Sequence, residues 1–439
     1  MSFPSIRAGG WKEMLNKAAL VRVLRYPDFR LLWIGAFVSF TGSRIENLAQ
    51  GYFVFDLTHN EQKLATVTFF WSLPVLLFGL AAGSFSDHFN KRTVLIWTQV
   101  LLAMNAFYMA IATFYHFIEY WQIVLVAFLN GMISCIEMPT RQSIVSRVVP
   151  VEDLASAVPV NAMTFNIARI IGPAIGGIVL TKIGVSACYL LNAISFAALV
   201  WTGVAIKSNL KSLHAERGPL KDIVFEGALY TFRDQRLRTL FILEGITACV
   251  GLAYIPLVPA YVEDVLRDPN PKTGLGYAFT AVGLGAMCGL LVITQLTDSK
   301  YRGTIIRTAM LSMGVGLLAL ALVRNDLFAY IVFAILGASA MMQLNTTNAL
   351  FQLLAPDRLR GRVLAMHIWA INGLSPFGVL FFGWLANATK KMSPAPHWLP
   401  QTGVPLAMQL GGTLMLVGAL AAYLSKKGLT NLVPLHEEA

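Results

Sequence analysis

Five charged residues stand inside long apolar stretches of the sequence, where a charge is costly. They are Arg44, Glu46, Glu137, Arg169 and Glu244. At the centre of a bilayer an ionised side chain costs at least about 2.5–3.5 kcal/mol on insertion scales, so it is expected to face protein or water. One interpretation is a buried network that only orders the helices. The interpretation we favour is that these residues line a central cavity or couple it to an ion.

Two of these acids share a helix face with uncharged polar side chains. The first face consists of Ser43, Glu46, Asn47 and Gln50. The second consists of Asn130, Ser134 and Glu137. Spacings of three, four and seven residues place side chains on one side of an α-helix, within about 100° of one another. We expect both faces to line the cavity, although Glu137 lies near a helix end and a solvated surface acid is an equal alternative for it.

The elements that position these residues are predicted to be membrane-spanning helices. Of the 439 residues 56% are hydrophobic and 13% are charged, with a mean hydropathy of +0.62, whereas a soluble domain is about 25% charged. A span needs about 20 apolar residues, and its backbone must satisfy its own hydrogen bonds in lipid. Twelve runs qualify, at about 31–54, 65–85, 94–114, 120–139, 157–181, 184–206, 239–262, 274–297, 304–323, 327–347, 362–387 and 404–424.

The distribution of basic residues predicts the orientation of these spans. The net charge is +11, but most Lys and Arg residues fall in every second loop and at the two ends. The positive-inside rule therefore places both termini in the cytoplasm. On this interpretation the positive charge is a topology signal and does not indicate nucleic-acid binding. The first 30 residues lack the apolar run of a cleavable signal peptide.

Several classes of function lack their sequence signatures. The four cysteines fall inside apolar runs without metal-ligand spacing, so we expect neither a disulfide nor a metal site. No G-x-x-x-x-G-K-S/T loop is present, so ATP is not expected to drive the protein directly. No serine has the partners of a nucleophilic triad, and an enzyme is not indicated. His367 is expected to be a hydrogen-bonded core residue rather than a proton relay, and no cofactor is expected.

A short charged loop occurs twice in the sequence. Residues 83–92 read GSFSDHFNKR, and residues 298–304 repeat the pattern as DSKYRGT. A repeat of half the chain length in a helical membrane protein is typical of transporters with two bundles around a central site. We expect an amphipathic cytoplasmic N-terminus (1–29), two six-helix bundles (30–206 and 239–424), a cytoplasmic linker (207–238) and a cytoplasmic tail (425–439).

The repeated loop resembles the signature of the major facilitator superfamily, G-x-x-x-D-(R/K)-x-G-(R/K)-(R/K). Gly83, Asp87, Lys91 and Arg92 match it. Asn90 stands in place of a glycine and is expected to adopt the same left-handed turn. The resemblance implies that Asp87 accepts hydrogen bonds at a neighbouring helix N-terminus and closes a cytoplasmic gate. Further gating residues are Lys91, Arg92, Arg141 and, in the second copy, Asp298 and Arg302.

Two further stretches are similar to the branch that contains the enterobactin exporter and the macrolide efflux proteins. One reads EMPTRQ at 137–142, and the other reads NIARIIGPAIGG at 166–177. Within the second, Gly172, Pro173, Gly176 and Gly177 resemble the antiporter motif of drug-exporting facilitators. Apart from the resemblance, proline kinks a helix and small residues let helices approach closely, so a packing kink is the alternative interpretation.

This resemblance implies an all-α fold of twelve transmembrane helices in two pseudo-repeated bundles. The expected function is secondary active export of an amphipathic organic molecule, a siderophore or drug, coupled to proton entry. Expected partners are the small-molecule substrate, protons and membrane lipids, and the protein is expected to be a monomer in the bacterial cytoplasmic membrane. The alternatives are an importer or flippase of a nutrient or lipid on the same fold, and a membrane sensor that does not transport.

Overall fold

The structure, a computed structural model, describes residues 22–87, 89–210, 220–295, 302–356, 359–390, 392 and 402–424. The expected tail (425–439), most of the expected amphipathic N-terminus (1–29) and part of the expected linker (207–238) lie outside this description. Regular structure in the described residues is helical, and no strand occurs among them. The all-α prediction is therefore confirmed.

Six long helices form the first half of the chain. They are α1 (Pro27–Thr58), α2 (Glu61–Asp87), α3 (Lys91–Phe114), α4 (Tyr120–Val148), α5 (Val151–Lys182) and α6 (Val185–Ala205). A shorter helix, α7 (Leu220–Arg233), follows. The second half contains α8 (Gln235–Ile246), α9 (Pro271–Gln295), α10 (Arg302–Leu322), α11 (Asp326–Leu354), α12 (Arg360–Lys390) and α13 (Val404–Leu424).

Ten helical segments in the described residues are long and apolar enough to cross a membrane. One of them extends α8 to give a span over Gln235–Leu266. Helices α1 and α2 are not among the ten, although they contain 32 and 27 residues. Helix α1 carries Arg44 and Glu46 in its interior, and these charges lower its hydropathy. The prediction of an all-helical membrane protein is thus confirmed, with ten helical segments of this kind in the described residues. The number of twelve spans stays a prediction.

The two halves contact each other along two helix pairs. Within the first half α1 packs between α5 and α6, and in the second half α9 packs on α11 and α10 packs on α13. Between the halves, α2 packs on α12 and α5 packs on α9. A continuous cluster of buried apolar side chains includes residues of both halves, so the halves share part of their core. Polar residues on α1 and α5 are thereby brought close to the second half.

Glycines in the middle of α5 permit its close approach to helices on both sides. A Cβ atom at Gly172 would collide with the Cβ atom of Arg44 on α1. A Cβ atom at Gly177 would lie 3.0 Å from the Cα atom of Gly276 on α9. Close backbone contact of this kind is what small residues provide between membrane helices. The glycines predicted as an antiporter-like motif therefore place α5 between the two halves.

At one end of the bundle, which we call the linker end, the chain segments before α1 and after α6 are bonded to the first half. Arg22 forms an ion pair of 2.7 Å with Asp153 at the start of α5. The Tyr26 hydroxyl donates to the same carboxylate at 2.7 Å, and this bond raises the pKa of Tyr26. The Asp28 carboxylate accepts a bond of 2.8 Å from the backbone N–H of Ser208, after α6. The start of α1 is thus fixed to α5 and to the chain that follows α6.

The α8 span is interrupted near its middle. Its α-helical part gives way to a π-helical turn at Thr247–Gly251, and a 3₁₀ turn follows at Ile255–Leu257. Prolines at positions 256 and 259 lack the N–H groups that a regular helix would need there. Irregular backbone at membrane depth is tolerated where it is buried in protein or lines a cavity. In transporters, discontinuous helices of this kind form substrate sites.

Candidate functional site

Two arginines lie close together where the first half meets the second. Arg44 lies near the middle of α1, and Arg169 lies near the middle of α5, one turn before Gly172, the glycine that contacts Arg44. Both side chains are partly exposed, and their positive charges are close enough to interact. Tyr254 of the interrupted α8 span is within electrostatic reach of Arg169. The predicted residues Arg44 and Arg169 are therefore brought together at the boundary with the second half.

Neither arginine is neutralised by an acid in the described part of the chain. No ion pair or hydrogen bond joins either guanidinium to a described carboxylate. The acid two residues along, Glu46, is 5% exposed and instead accepts a hydrogen bond from the Asn192 side chain on α6. An ion pair between Arg44 and Glu46, which the alternative interpretation of a buried ordering network would allow, is therefore not formed, because the two side chains leave α1 toward different neighbouring helices.

The uncharged polar residues predicted beside these acids are distributed over different environments. Asn47 is exposed, while Gln50 is partly exposed. The Asn130 side-chain oxygen accepts a bond of 2.9 Å from Asn105 on α3. Glu46 and Asn130 thus contribute to contacts between neighbouring helices of the first half. These bonds show only which neighbouring helix each side chain contacts, so the cavity-lining role of the two polar faces stays a prediction.

A buried ion pair joins two other predicted residues inside the first half. Arg141 Nε donates to Glu137 Oε1 at 2.7 Å, one turn apart on α4, and the Arg141 side chain is 1% exposed. Its guanidinium carbon lies 4.0 Å from the centre of the Phe40 ring on α1 and 4.7 Å from that of Phe165 on α5. Glu137 is not a solvated surface acid. The pair connects α4 to α1 and α5 through charge and ring contacts.

We expect Glu137→Ala to destabilise the protein strongly, because Arg141 would remain buried without its counter-ion. Breaking a buried pair by removing one partner typically costs about 3–5 kcal/mol. Thermal unfolding of the purified protein in detergent measures the effect as a lower melting temperature. The double variant Glu137→Ala/Arg141→Met removes both charges and should unfold at a higher temperature than Glu137→Ala. Equal melting temperatures of the parent and Glu137→Ala would contradict this assignment.

The second half contains a buried acid paired with a histidine. Glu244 on α8 is 0% exposed, and its Oε2 lies 2.8 Å from His367 Nδ1 on α12. His367 is 5% exposed and hydrogen-bonded, as expected of a core residue, and this contact does not by itself exclude a proton-relay role. Glu244 Oε1 also lies 2.8 Å from His367 Nδ1, so both carboxylate oxygens face the same ring nitrogen. Sequence reasoning missed the pairing, because the two residues are 123 positions apart and only the packing of α8 on α12 brings them together.

The repeated charged loop is described in part. Gly83 and Asp87 belong to the last turns of α2, but their side chains are outside the description, and Asp298 lies outside the described residues altogether. Asn90 has an extended backbone with φ of −63° and ψ of 117°, so the expected left-handed turn is wrong. Instead its side chain caps α3 by accepting a bond of 3.0 Å from the Arg92 backbone N–H. Asparagine is among the preferred residues at that position.

The basic residues of this loop are engaged with protein. Lys91 is 1% exposed, and its backbone N–H donates to the Leu210 carbonyl. The Arg92 guanidinium donates to the carbonyl of Ser208 at 3.3 Å and to that of Ile206. These contacts attach the start of α3 to the chain that follows α6. Arg302 is the first residue of α10 at the same end of the bundle.

At the opposite end, which we call the far end, a charge cluster connects the two halves. Lys390 Nζ at the end of α12 lies 3.0 Å from Glu61 Oε1 at the start of α2 and 2.6 Å from Asp264 Oδ2. The Glu61 side chain is 0% exposed. Nearby, the hydroxyls of Thr181 and Thr273 are 3.0 Å apart across the α5–α9 contact. Sequence analysis did not select the Glu61–Lys390–Asp264 cluster, since each residue lies at the end of an apolar run.

A cavity of about 660 Å³ opens beside this cluster. It is lined by charged, polar and apolar residues of the second half together with Glu61 of α2. Arg267 and Arg324 are among them. The cavity is at the far end and not at the midplane, so it is separate from the Arg44–Arg169 pair.

Comparison with known proteins identifies the family. A model of the family described as transmembrane secretion effector matches residues 19–431. The chain is 26% identical to the staphyloferrin A transporter of Staphylococcus aureus over 80% of this chain and 88% of that protein. It is 26% identical to the multidrug efflux pump Tap of Mycolicibacterium fortuitum, over 82% of this chain and 89% of that protein. It is 20% identical to macrolide efflux protein A of Streptococcus pyogenes, over 85% of this chain and 92% of that protein.

Solved structures support the fold. The nucleoside transporter NupG superposes with a TM-score of 0.72 at 12% identity, over 91% of this chain and 99% of that one. A D-xylose–proton symporter superposes with a TM-score of 0.71 at 15% identity, over 93% of this chain and 99% of that one. The third structure is a bacterial homologue of the human lysosomal transporter Spinster in an inward-facing, unoccupied conformation. It superposes with a TM-score of 0.71 at 12% identity, over 95% of this chain and 99% of that one. At these identities the likeness concerns the fold, which is that of the major facilitator superfamily.

The family and its relatives are transporters and not enzymes, and the helical architecture agrees with them. The geometry adds charged and polar groups at membrane depth in both halves. This chain is therefore a multi-pass membrane transporter of the major facilitator type and belongs to the transmembrane secretion effector family.

Proposed function

We propose that this protein exports an amphipathic organic molecule, such as a siderophore or a drug, in exchange for protons across the bacterial cytoplasmic membrane. The relatives that support export are those named as efflux pumps. The relative named for staphyloferrin A supports a siderophore as one class of cargo. The observation that carries the proposal is the placement of unneutralised arginines at the midplane, beside the interrupted α8 span, where transporters of this type bind substrate.

The proposed architecture is two bundles that rock against each other about this site. Residues 30–206 would form one bundle and residues 239–424 the other, joined by the linker 207–238, with α1 and α2 completing twelve spans. The linker end would be cytoplasmic, in agreement with the positive-inside rule. In alternating access the far end must open and close once in each cycle. The Glu61–Lys390–Asp264 cluster and the glycine contact between α5 and α9 support a state in which the far end is closed.

The proposed roles of the remaining site residues follow from their positions. Asp87 and Asp298 would act at the cytoplasmic gate, together with Lys91, Arg92 and Arg302. Their proximity to the connection between α6 and α7 supports this role for Lys91 and Arg92. The Glu137–Arg141 pair would keep α4 rigid against α1 and α5. The Glu244–His367 pair would carry the coupled proton, because a buried carboxylate in a membrane protein is typical of proton pathways.

Transport into membrane vesicles of opposite orientation tests this proposal. Vesicles prepared from cells with and without the protein are supplied with labelled staphyloferrin A or a labelled macrolide. We expect inverted vesicles that contain the protein to accumulate a probe when their interior is acidic. A protonophore should abolish the accumulation. Accumulation in right-side-out vesicles alone would contradict export and favour the importer, and accumulation that persists with the protonophore would contradict proton coupling.

A further inference from the structure

No acid in the described part of the chain neutralises the arginine pair at the midplane. Arg44 and Arg169 are on adjacent helices, and their like charges repel each other. Glu46 is directed to Asn192, and Glu137 is bound by Arg141. A cation in the membrane interior is stabilised by a partner of opposite charge. Two unneutralised guanidinium groups side by side therefore point to an anion that is not part of the described protein.

The second half supplies uncharged hydrogen-bonding groups near Arg169. The Tyr254 hydroxyl has no hydrogen-bond partner among the described residues, and it comes from the interrupted part of the α8 span. On α9, the Thr280 hydroxyl is buried and lacks a partner in the same part of the chain. Thr280 precedes Gly283 by one turn, and a Cβ atom at Gly283 would lie 2.7 Å from the carbonyl oxygen of Arg169. Two elements of the second half, the α8 span at Tyr254 and α9 at Gly283, thus lie close to Arg169.

We propose that Arg44 and Arg169 together bind a carboxylate group of the transported molecule, so that the cargo is an organic anion. This inference rests on the proposed function and specifies its substrate class. Guanidinium groups bind carboxylates through paired, charge-assisted hydrogen bonds, and arginine is suited to this geometry because its fork of donors is planar and remains charged. The apolar part of the cargo would contact the surrounding helices.

The Tyr254 hydroxyl would donate to the same carboxylate from the second half. A ligand held by α1 and α5 on one side and by the α8 span on the other binds best when the halves are close together. Such a ligand shifts the equilibrium toward a closed state by its differential affinity for that state. The anion would therefore specify the cargo and also favour the closure that transport requires.

Binding to the purified full-length protein tests the proposal without requiring transport. The probe is naphthalene carboxylate, and its matched neutral control is naphthalene carboxamide, which has the same ring and nearly the same shape. We expect the carboxylate to bind and to raise the melting temperature, and the carboxamide to bind at least about tenfold more weakly, because it lacks the charge that strengthens each hydrogen bond. Equal affinity of the two probes would overturn the proposal.

Substitutions assign the binding to the arginine pair. We expect Arg44→Gln and Arg169→Gln each to weaken carboxylate binding about tenfold or more, and Tyr254→Phe to weaken it less. Arg44→Lys preserves the charge and therefore the fold, but it lacks the planar fork, so an intermediate loss is expected. Arg307→Gln is the matched control, since Arg307 on α10 is bonded to the Ala422 carbonyl away from the pair. Unchanged affinity in both Gln variants would overturn the assignment.

Inorganic phosphate separates an organic cargo from a simple anion. We expect phosphate to compete with the carboxylate probe weakly, because it lacks the apolar part of the ligand. Phosphate that binds as tightly as the carboxylate would overturn the proposed substrate class. Since binding is measured in the absence of any gradient, a failure of export or of proton coupling would leave these results intact. Conversely, confirmed export without carboxylate binding would overturn only the present inference.

Discussion

Glu244→Gln is expected to lose nearly all transport driven by a pH gradient while retaining exchange of substrate across the membrane. Glu244 is fully buried, and its carboxylate is bonded to His367 of the facing helix α12. Glutamine fills nearly the same volume and can still form a hydrogen bond, but it cannot take up or release a proton. The coupled cycle requires that step, whereas exchange between equal pH values requires only movement of the loaded protein.

Purified protein reconstituted into liposomes allows both activities to be measured. Uptake against a substrate gradient reports coupling, and exchange of labelled for unlabelled substrate reports the conformational cycle. Glu46→Gln is the matched comparison, because Glu46 is also a buried acid but is bonded to the amide of Asn192 and not to a base. Asp56→Asn, at an exposed position of α1, is the control for a general effect of charge. Loss of coupling in Glu46→Gln with none in Glu244→Gln would place the coupling acid in the first half.

His367→Gln gives a second result on the same pair. It leaves Glu244 buried without its basic partner, so coupling should fail in this variant too. If His367→Gln instead transported normally, the pair would have a structural role only, and the proton pathway would have to run through other groups.

Lys390→Met is expected to open the far end of the protein and to slow transport. Lys390 lies within hydrogen-bond distance of Glu61 in the first half and Asp264 in the second, so its loss removes a contact between the halves and leaves Glu61 buried without a counter-charge. Hydrogen bonds to charged groups contribute about 1.5–3 kcal/mol. A change of that size shifts a two-state equilibrium roughly 10- to 100-fold. The outward-open state should therefore become much more populated.

Distance measurements between spin labels at Thr181 and Thr273 report this opening directly, because these residues face each other across the α5–α9 contact at the far end. Lys390→Met should broaden the distribution and move it to longer distances. The double variant Glu61→Gln/Lys390→Met removes the unpaired buried acid, and its distribution should move back toward that of the parent. An unchanged distribution in Lys390→Met would show that the cluster does not hold the far end closed. Lys63→Met is the matched control, because Lys63 is at an exposed position of α2 and its ammonium lies over the ring of Tyr120, which belongs to the same half.

The features that the sequence determined are those that depend on local composition and spacing. Low charge and long apolar runs require helices that satisfy their own backbone in lipid, so the all-helical membrane architecture followed without a structure. The duplicated loop around Asp87 and Asp298, together with the EMPTRQ and NIARIIGPAIGG segments, was sufficient to indicate the superfamily and its branch. The choice of Arg44, Glu46, Glu137, Arg169 and Glu244 as costly charges likewise needed only hydropathy.

The tertiary structure decided how those charges are partnered. A buried network that orders the helices was one interpretation of Arg44 and Glu46 from the sequence, but Arg44 lies against α5 whereas Glu46 is bonded to Asn192 on α6. Arg169, Asn192 and His367 became relevant only when distant segments packed together. The same applies to Lys390 and Glu61, which are 329 positions apart. Ion pairs between helices depend on which helices are neighbours and on how each helix is rotated about its axis. The hydropathy of the sequence predicts neither of them.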